Sequence, residues 1–201
     1  MGRPAFCGWN RSAGLAVLVI AGSGRGAGKT AVGCALIAAL PELRWVAVKV
    51  TRHGHDVDKG LWEELNLRSD KDTGRYLSAG AKRVFLISGV TDTQATELVA
   101  EARGRASECD ALLVESNRIT AAAVSHRGER AVTVAVLSGP AGEWKASLRE
   151  CAGSVDALVL SNGLLPDEFE SPFLRKPVFG LAEGRWSVPE LVRFVRERIV
   201  G

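Results

Sequence analysis

The sequence predicts an α/β fold in which a mostly parallel, twisted sheet of about seven strands lies between two layers of helices. Short apolar runs alternate along the chain with stretches whose apolar residues recur at helical spacing. The apolar runs are nearly continuous, which is typical of parallel strands that are buried on both faces. At 201 residues, 46% of them apolar, the chain has enough material for the core of one such three-layer domain.

The predicted elements follow in order. Strands are expected at 15–21, 44–50, 83–87, 110–115, 131–137, 156–160 and 178–181, where Val, Ile, Leu and Ala dominate. Helices are expected at 30–40, 72–79, 91–105, 142–151 and 188–200, with a loop or short helix at 118–128. Pro41 ends the first helix, and Thr91 or Asp92, with Gln94 or Glu97 behind it, caps the third. The polar stretch 51–71 is longer than a simple connection and is therefore expected to be functional or disordered.

The domain boundary is set by composition. Residues 1–13 contain Gly, Pro, Asn and Ser and predict a flexible N-terminal extension, which leaves 14–201 as a single domain. The apolar run 15–21 is read as a strand and not as the core of a signal peptide, because it leads directly into a glycine-rich turn. No apolar run approaches the roughly 20 residues that a membrane span needs.

The glycine-rich turn is the strongest functional signal. It reads Gly22-Ser-Gly-Arg-Gly-Ala-Gly28 and is followed by Lys29-Thr30, between the first strand and the first helix. Strand, glycine loop, Lys-Thr and helix are the parts of a phosphate-binding loop, or P-loop, so the predicted fold is that of a P-loop NTPase. The common spacing places Ser23 at the first glycine position, which favours a loop one residue longer.

In such a loop, backbone N–H groups and the helix start face the phosphates, the lysine reaches the β- and γ-phosphates, and the hydroxyl is a Mg²⁺ ligand. The predicted nucleotide-binding residues are consecutive: Gly24, Arg25, Gly26, Ala27, Gly28, Lys29, Thr30 and Ala31.

Polar residues at the ends of other strands complete the predicted site, because ligands of open parallel sheets bind at the carboxyl ends of strands. Glu115 ends the fourth predicted strand and is expected to hold Mg²⁺ with Thr30, or to orient a water. Lys49 lies inside an apolar run and needs an anionic partner such as a phosphate or a carboxylated substrate, unless its stem reaches solvent. Lys29, Glu115 and Lys49 are the predicted catalytic set.

The long polar stretch is dense in side-chain ligands. Asp58 is a third candidate for the Mg²⁺ site, with Asp56 as its alternative. His53 and His55 are open to three interpretations: a transition-metal site, contact with a substrate or partner, or an ordinary surface loop.

Asn162 follows the sixth predicted strand, where nucleotide-binding proteins of this architecture often read the base, although an Asn in a turn has the same signature. Since no N-K-x-D guanine motif occurs, these residues leave guanine and adenine open.

Composition excludes several classes of function. A net charge of +3 gives no case for nucleic-acid binding. The four cysteines lie far apart, without a C-x-x-C pair, and indicate reduced thiols in a cytoplasmic protein.

Several of these segments together resemble the molybdopterin-guanine dinucleotide biosynthesis protein B family. They are Gly28-Lys29-Thr30, Lys49-x-x-x-His53 with Asp56-x-Asp58, Asp72-Thr-x-Arg75-x-x-x-Ala79-Gly80-Ala81, Leu113-Val114-Glu115 and Pro177-Val178-Phe179. The resemblance implies a dimeric, GTP-binding P-loop protein that assists the guanylyltransferase which attaches GMP to molybdopterin. It also implies that the Asp58 region, Asp72 and Arg75 face the nucleotide, the cofactor or the partner enzyme. Ser116 departs from the glycine that the family has after its glutamate.

A second resemblance leads to a different chemistry. The longer glycine loop, Lys49-Val50-Thr51 and Glu115 are similar to dethiobiotin synthetase, which activates a carbamate with ATP. Three functions therefore stay open: a slow nucleotide-hydrolysing accessory protein, an ATP-dependent small-molecule ligase or kinase, and a nucleotide-gated binding module without turnover.

Overall fold

The computed structural model describes residues 15–52, 59–161, 173–181 and 189–201. The strands are β1 (Ala16–Gly22), β2 (Trp45–Thr51), β3 (Gly60–Glu63), β4 (Arg83–Ser88), β5 (Ala111–Glu115), β6 (Ala131–Leu137), β7 (Ala157–Leu160) and β8 (Val178–Gly180). The α-helices are α1 (Lys29–Ala39), α2 (Asp72–Ser78), α3 (Asp92–Arg105), α4 (Ala121–Val124), α5 (Ala146–Cys151) and α6 (Pro189–Ile199).

These strands form one sheet in the order β3-β4-β2-β5-β1-β6-β7-β8. Every pair is parallel except β3 with β4, which is antiparallel. The predicted α/β fold with a mostly parallel sheet is therefore confirmed.

The sheet of the described residues has eight strands where about seven were predicted, and the additional strand, β3, lies inside the stretch 51–71 that was expected to be a loop. The strand is only four residues long, and the polar residues around it hide its pattern. It is stabilised on β4 by the pair Leu61↔Ile87 and by an ion pair between Arg83 and Glu63, whose closest atoms are 2.6 Å apart.

Alternating side chains of the strands pack on opposite faces of the sheet. On β1, Leu18 and Ile20 join the cluster that contains α1, α2 and α6, while Val17 and Val19 join the cluster that contains α3 and α4. All four are fully buried. A third cluster, centred on Trp144, packs α5 beside β6 and β7. The expected helical layers on both faces are thus present.

The helix ends show where sequence patterns are reliable. The predicted cap of α3 is a complete capping box, in which the Gln94 N–H donates to Thr91 Oγ1 and the Thr91 N–H donates to Gln94 Oε1. The helix predicted at 142–151 begins only at Ala146, after a 3₁₀ turn at Ala141–Glu143. The uncertain stretch 118–128 contains the single-turn helix α4.

The described cysteines Cys34, Cys109 and Cys151 are free thiols. Burial raises the pKa of Cys34 and of Cys109 to about 11, so both remain protonated at neutral pH and act as apolar packing groups. Among the helices in the described part of the chain, none combines the length and the apolar character that a membrane span requires.

Candidate functional site

The candidate site lies at the carboxyl end of the central strands. The chain leaves β1 toward α1 on one face of the sheet and leaves β5 toward α4 on the other face, so a crevice opens between these two neighbouring strands. The residues that follow β1, β2 and β5 line a cavity of about 610 Å³, within the usual size of small-molecule sites.

The glycine loop forms one wall of this cavity. All of the predicted nucleotide-binding residues from Gly24 to Ala31 line it. Gly28 has φ +96°, a left-handed conformation that disfavours residues with a Cβ, and this turn directs the chain into α1. The first turn of α1 reads Lys-Thr-Ala-Val, without an acidic side chain, so no carboxylate of this turn offsets the positive end of the helix dipole at the cavity wall.

Ser23 has a structural reason to replace the expected glycine. It is 3% exposed, and its Oγ accepts from the Ser138 N–H at 2.9 Å. Its backbone N–H donates to the Val136 carbonyl at 2.9 Å. The serine therefore ties the start of the glycine loop to the end of β6.

Asn117 fixes the other side of the same turn. Its Oδ1 accepts from the Gly22 N–H at 2.8 Å, and its Nδ2 donates to the Gly22 carbonyl at 2.7 Å. This two-point contact joins the segment after β5 to the last residue of β1, so the loop and Glu115 keep a fixed separation.

Lys29 reaches into the cavity, where its Nζ donates to the Gly24 carbonyl at 2.7 Å. Burial lowers its pKa, the charge of Glu115 opposes this effect, and the charges of Lys49 and Lys145 add to it. The bond to a neutral carbonyl leaves the ammonium short of negative charge, so an anion placed beside it would be favoured.

Glu115 is the centre of the site's hydrogen bonds. It is 4% exposed. Its Oε2 accepts from Thr30 Oγ1 and from the Tyr76 hydroxyl, both at 2.8 Å, and its Oε1 accepts from Lys49 Nζ at 2.7 Å. The predicted metal residues Thr30 and Glu115, which are 85 positions apart in sequence, are thus in direct contact.

Lys49 is the second cation of the cavity. It sits opposite Glu115 in the β2–β5 register and bridges to Asp72 Oδ2 at 2.6 Å. Burial alone would lower the pKa of Lys49, but the charge of Glu115 and the hydrogen bonds to Asp72 and Glu115 outweigh it, so the pKa is raised. The expected anionic partner of Lys49 is therefore supplied by the protein itself.

Asp72 and Arg75, which the resemblance placed near a ligand, both line the cavity. Arg75 Nη1 lies 3.4 Å from Asp72 Oδ1 within the first turn of α2. Burial opposes ionisation of Asp72, but its hydrogen bond with Lys49 and the charges of Lys49 and Arg75 lower its pKa overall.

The remaining predicted residues lie outside the described part of the chain. They are the Mg²⁺ candidate Asp58, the loop residues His53, His55 and Asp56, and the base-reading candidate Asn162. Their assignments stay predictions.

The geometry suits a Mg²⁺–polyphosphate ligand. Within the described residues there is no group of three or more His, Cys, Asp or Glu side chains that could hold a metal. Thr30 and Glu115 would supply one hydroxyl and one carboxylate, and phosphate and water oxygens would complete the shell, as is usual for Mg²⁺. The metal would take the place of the hydrogen bond that now joins the two side chains.

Sequence reasoning missed three residues of the site. Tyr76, Asn117 and Lys145 have no motif, because each acts through a contact across the fold. Asn117 had one usable signal, since it comes two residues after a predicted metal ligand.

No protein-family model and no curated protein matches the chain. The fold, however, is found among solved structures. The hydrogenase maturation factor HypB from Archaeoglobus fulgidus matches with a TM-score of 0.57 and 16% identity, over 93% of this chain and 91% of that one. LpxK from Aquifex aeolicus, solved with ATP, matches with a TM-score of 0.51 and 17% identity, over 83% of this chain. The match spans only 54% of LpxK's length.

A MobB protein homolog from Bacillus stearothermophilus aligns at 22% identity and a TM-score of 0.47, over 90% of this chain and 99% of that one. The matches to HypB and LpxK, at 16% and 17% identity, establish the fold alone, an α/β fold with a mostly parallel sheet.

Proposed function

We propose that this protein binds a nucleoside triphosphate with Mg²⁺ at the glycine loop and hydrolyses it, or transfers its γ-phosphoryl group. The observation that carries the proposal is the direct contact of Thr30 with Glu115 beside the cavity wall formed by the glycine loop. The protein would catalyse the reaction by positioning the reactants and by neutralising the negative charge of the phosphates, since phosphoryl transfer requires little covalent chemistry from the protein.

Each group has an assigned part in this proposal. The backbone N–H groups of the loop and the start of α1 hold the phosphates, and Lys29 neutralises their charge. The bound Mg²⁺ supplies electrostatic stabilisation of the transferring group. Lys49 lies 2.7 Å from the metal carboxylate and faces the end of the cavity where an acceptor would sit.

The nucleotide and the context follow from the resemblance noted in the sequence. We propose GTP as the physiological nucleotide, slow turnover in the absence of a partner, and a dimer that acts with a guanylyltransferase-like enzyme of molybdenum cofactor biosynthesis.

A second candidate function is favoured by the shape of the cavity. Besides the phosphate loop, its lining includes Lys49, Thr51 and Arg52 at the end of β2, and Arg75 of α2. Such a cationic compartment would suit a small acid that receives the phosphoryl group, as in an ATP-dependent ligase or kinase.

Release of phosphate separates these possibilities. GTP and ATP are each incubated with Mg²⁺ and the protein, alone, with small carboxylic acids, and with a guanylyltransferase. Stimulation by the enzyme supports the accessory function, and stimulation by an acid supports the ligase or kinase. Binding without release in every condition would contradict turnover.

Thr30 gives a matched pair of variants for the same assay. Thr30→Ser keeps the hydroxyl and is expected to retain Mg²⁺-dependent turnover, whereas Thr30→Val should lose at least about tenfold. Equal turnover in both variants would remove Thr30 from the metal site.

A further inference from the structure

Arg118 is a largely buried cation that the proposed function does not use, and it directly follows the cavity-lining residues Ser116 and Asn117. It comes three residues after Glu115, and its N–H donates to Ser116 Oγ at 3.1 Å. Its side chain is 13% exposed, and its Nη2 pairs with Asp92 at the start of α3. Its Nε and Nη1 are buried and have no hydrogen-bond partner among the residues that the structure describes.

A buried guanidinium group with unpaired donors destabilises the folded protein. Arginine stays charged at any ordinary pH, and buried donors without acceptors lose their hydration without compensation. Ser88 and Thr133 also carry buried hydroxyls that have no partner in the described part of the chain, but those groups are neutral and their desolvation costs less. Orphaned donors on a buried charge call for a physical explanation, and a bound anion that accepts their hydrogen bonds is one.

A second cation lies close by. Arg52 lines the cavity just beyond the end of β2, the strand that pairs with β5. Arg52 and Arg118 follow neighbouring strands of the sheet, and burial, followed by the charge of Arg52, lowers the pKa of Arg118, in keeping with repulsion between the two guanidinium groups. An anion between them would relieve this repulsion and accept from the unused donors.

We propose that Arg118 and Arg52 form a binding site for an oxyanion, the carboxylate or phosphate group of a second small molecule that lies beside the nucleotide. The planar fork of arginine matches both groups with two parallel hydrogen bonds. On the sheet, β2 and β5 lie on the same side of β1, so the site is displaced from the glycine loop toward Lys49. The proposal rests on the proposed function only in assigning the glycine loop to the nucleotide.

The site is tested with inorganic phosphate and with acetate, titrated calorimetrically into variants in which Lys29→Ala has removed the main phosphate contact of the glycine loop. The K29A protein is expected to retain one oxyanion site. Adding Arg118→Gln should weaken that site by about tenfold or more, because two charge-assisted hydrogen bonds are lost. Arg105→Gln, which removes an exposed arginine paired with Glu101, is the matched control and should change nothing.

Stability gives an independent readout. In buffer without oxyanions, Arg118→Met is expected to unfold at the same or a higher temperature than the wild type, because it removes a buried charge with orphaned donors. Added phosphate should then no longer raise its midpoint. Arg118→Lys keeps the charge without the fork and should bind phosphate more weakly than the wild type.

Three results would overturn the site: no phosphate or acetate binding to K29A, unchanged binding after Arg118→Gln, or a large loss of stability in Arg118→Met. None of them bears on the nucleotide, whose binding is measured separately as the response of the wild type, but not of K29A, to Mg²⁺ with GTP or ATP. Preference for phosphate over acetate, or the reverse, identifies the group that the second molecule presents.

Discussion

Lys29 and Lys49 line the same cavity, and their surroundings differ in charge. Lys29, after the glycine loop, donates to a neutral carbonyl, and burial lowers its pKa. Lys49, near the end of β2, contacts the carboxylates of Glu115 and Asp72, which outweigh burial and raise its pKa. A cation without a counter-ion is ready for an anionic ligand, whereas a paired cation organises the residues around it. The predictions below test this difference.

The largest effect is expected where the partner of Lys49 is removed. Glu115→Gln keeps the size of the side chain but lacks the charge that holds Mg²⁺ and Lys49, so turnover should fall about 100-fold or more. The pKa of Lys49 should fall as well, which would make it resemble Lys29. Phosphate release over a range of Mg²⁺ concentrations measures the first effect. Glu101→Gln is an exposed control, and wild-type turnover in Glu115→Gln would contradict the account.

The role of Lys29 can also be tested through the pH dependence of nucleotide affinity. A bound polyphosphate favours the ammonium of Lys29 and therefore raises its pKa from the lowered value of the free protein. Nucleotide affinity should be constant below that free-state pKa and should fall above it, approaching about tenfold per pH unit. Titrations of nucleotide at several alkaline pH values measure the slope. Affinity that rises with pH would reverse the assigned role.

The ion pairs of Lys49 make a separate contribution to stability. Because the folded pKa of Lys49 is raised, its contribution is present below the unfolded value of 10.5 and is lost as pH rises through the folded value. The pKa of Asp72 is lowered, so its contribution is present above 3.8 and is lost as pH falls through the folded value. Denaturant unfolding across pH should show both losses, and Asp72→Asn should remove only the part of the acid loss that Asp72 contributes, since the pKa values of Glu63, Glu64 and Glu129 are lowered as well.

A smaller effect is expected from the hydroxyl that holds Glu115. The Tyr76 ring packs against Gly33 of α1, where a Cβ would come within 2.8 Å of the hydroxyl. Tyr76→Phe should cost about 1 kcal/mol of unfolding free energy and weaken Mg²⁺ binding about tenfold. Ser78→Ala removes a hydroxyl bond from the same helix at an exposed site and is the control. Unchanged Mg²⁺ affinity in Tyr76→Phe would leave the tyrosine with a packing role alone.

The smallest effect belongs to Arg75. Its pair with Asp72 is exposed and 3.4 Å long, and such pairs contribute less than about 1 kcal/mol. Arg75→Ala should therefore change thermal stability very little. A loss of turnover in this stable variant would show that Arg75 contacts a ligand, as the family resemblance implies, and unchanged turnover would remove it from the site.

Much of the site could be predicted because its signals are local. The glycine loop with Lys29-Thr30 is contiguous, and its flanking strand and helix are visible in the apolar pattern. Glu115 was found because ligands gather at the carboxyl ends of parallel strands. These residues lie where the sequence indicated, although their chemical roles remain predictions.

The rest depends on contacts between distant segments. The pairing of Lys49 with Glu115 follows from the neighbouring positions of β2 and β5. The local sequence of neither strand indicates which strand lies beside it. Tyr76 acts through one hydrogen bond across the fold, to Glu115, and Asn117 through two, both to Gly22. The strand β3 is too short for its pattern to be distinguished from the surrounding polar loop.

The central claim is that Lys29 and the glycine loop bind a polyphosphate, and thermal unfolding with GTP, ATP and their diphosphates in the presence of Mg²⁺ tests it most directly. A nucleotide at 100 times its dissociation constant should add about 2.7 kcal/mol to the unfolding free energy of the wild type. Lys29→Ala should lose most of this gain, while Lys82→Ala, an exposed lysine next to β4, should keep it. A Lys29→Ala protein that responds like the wild type would contradict the claim.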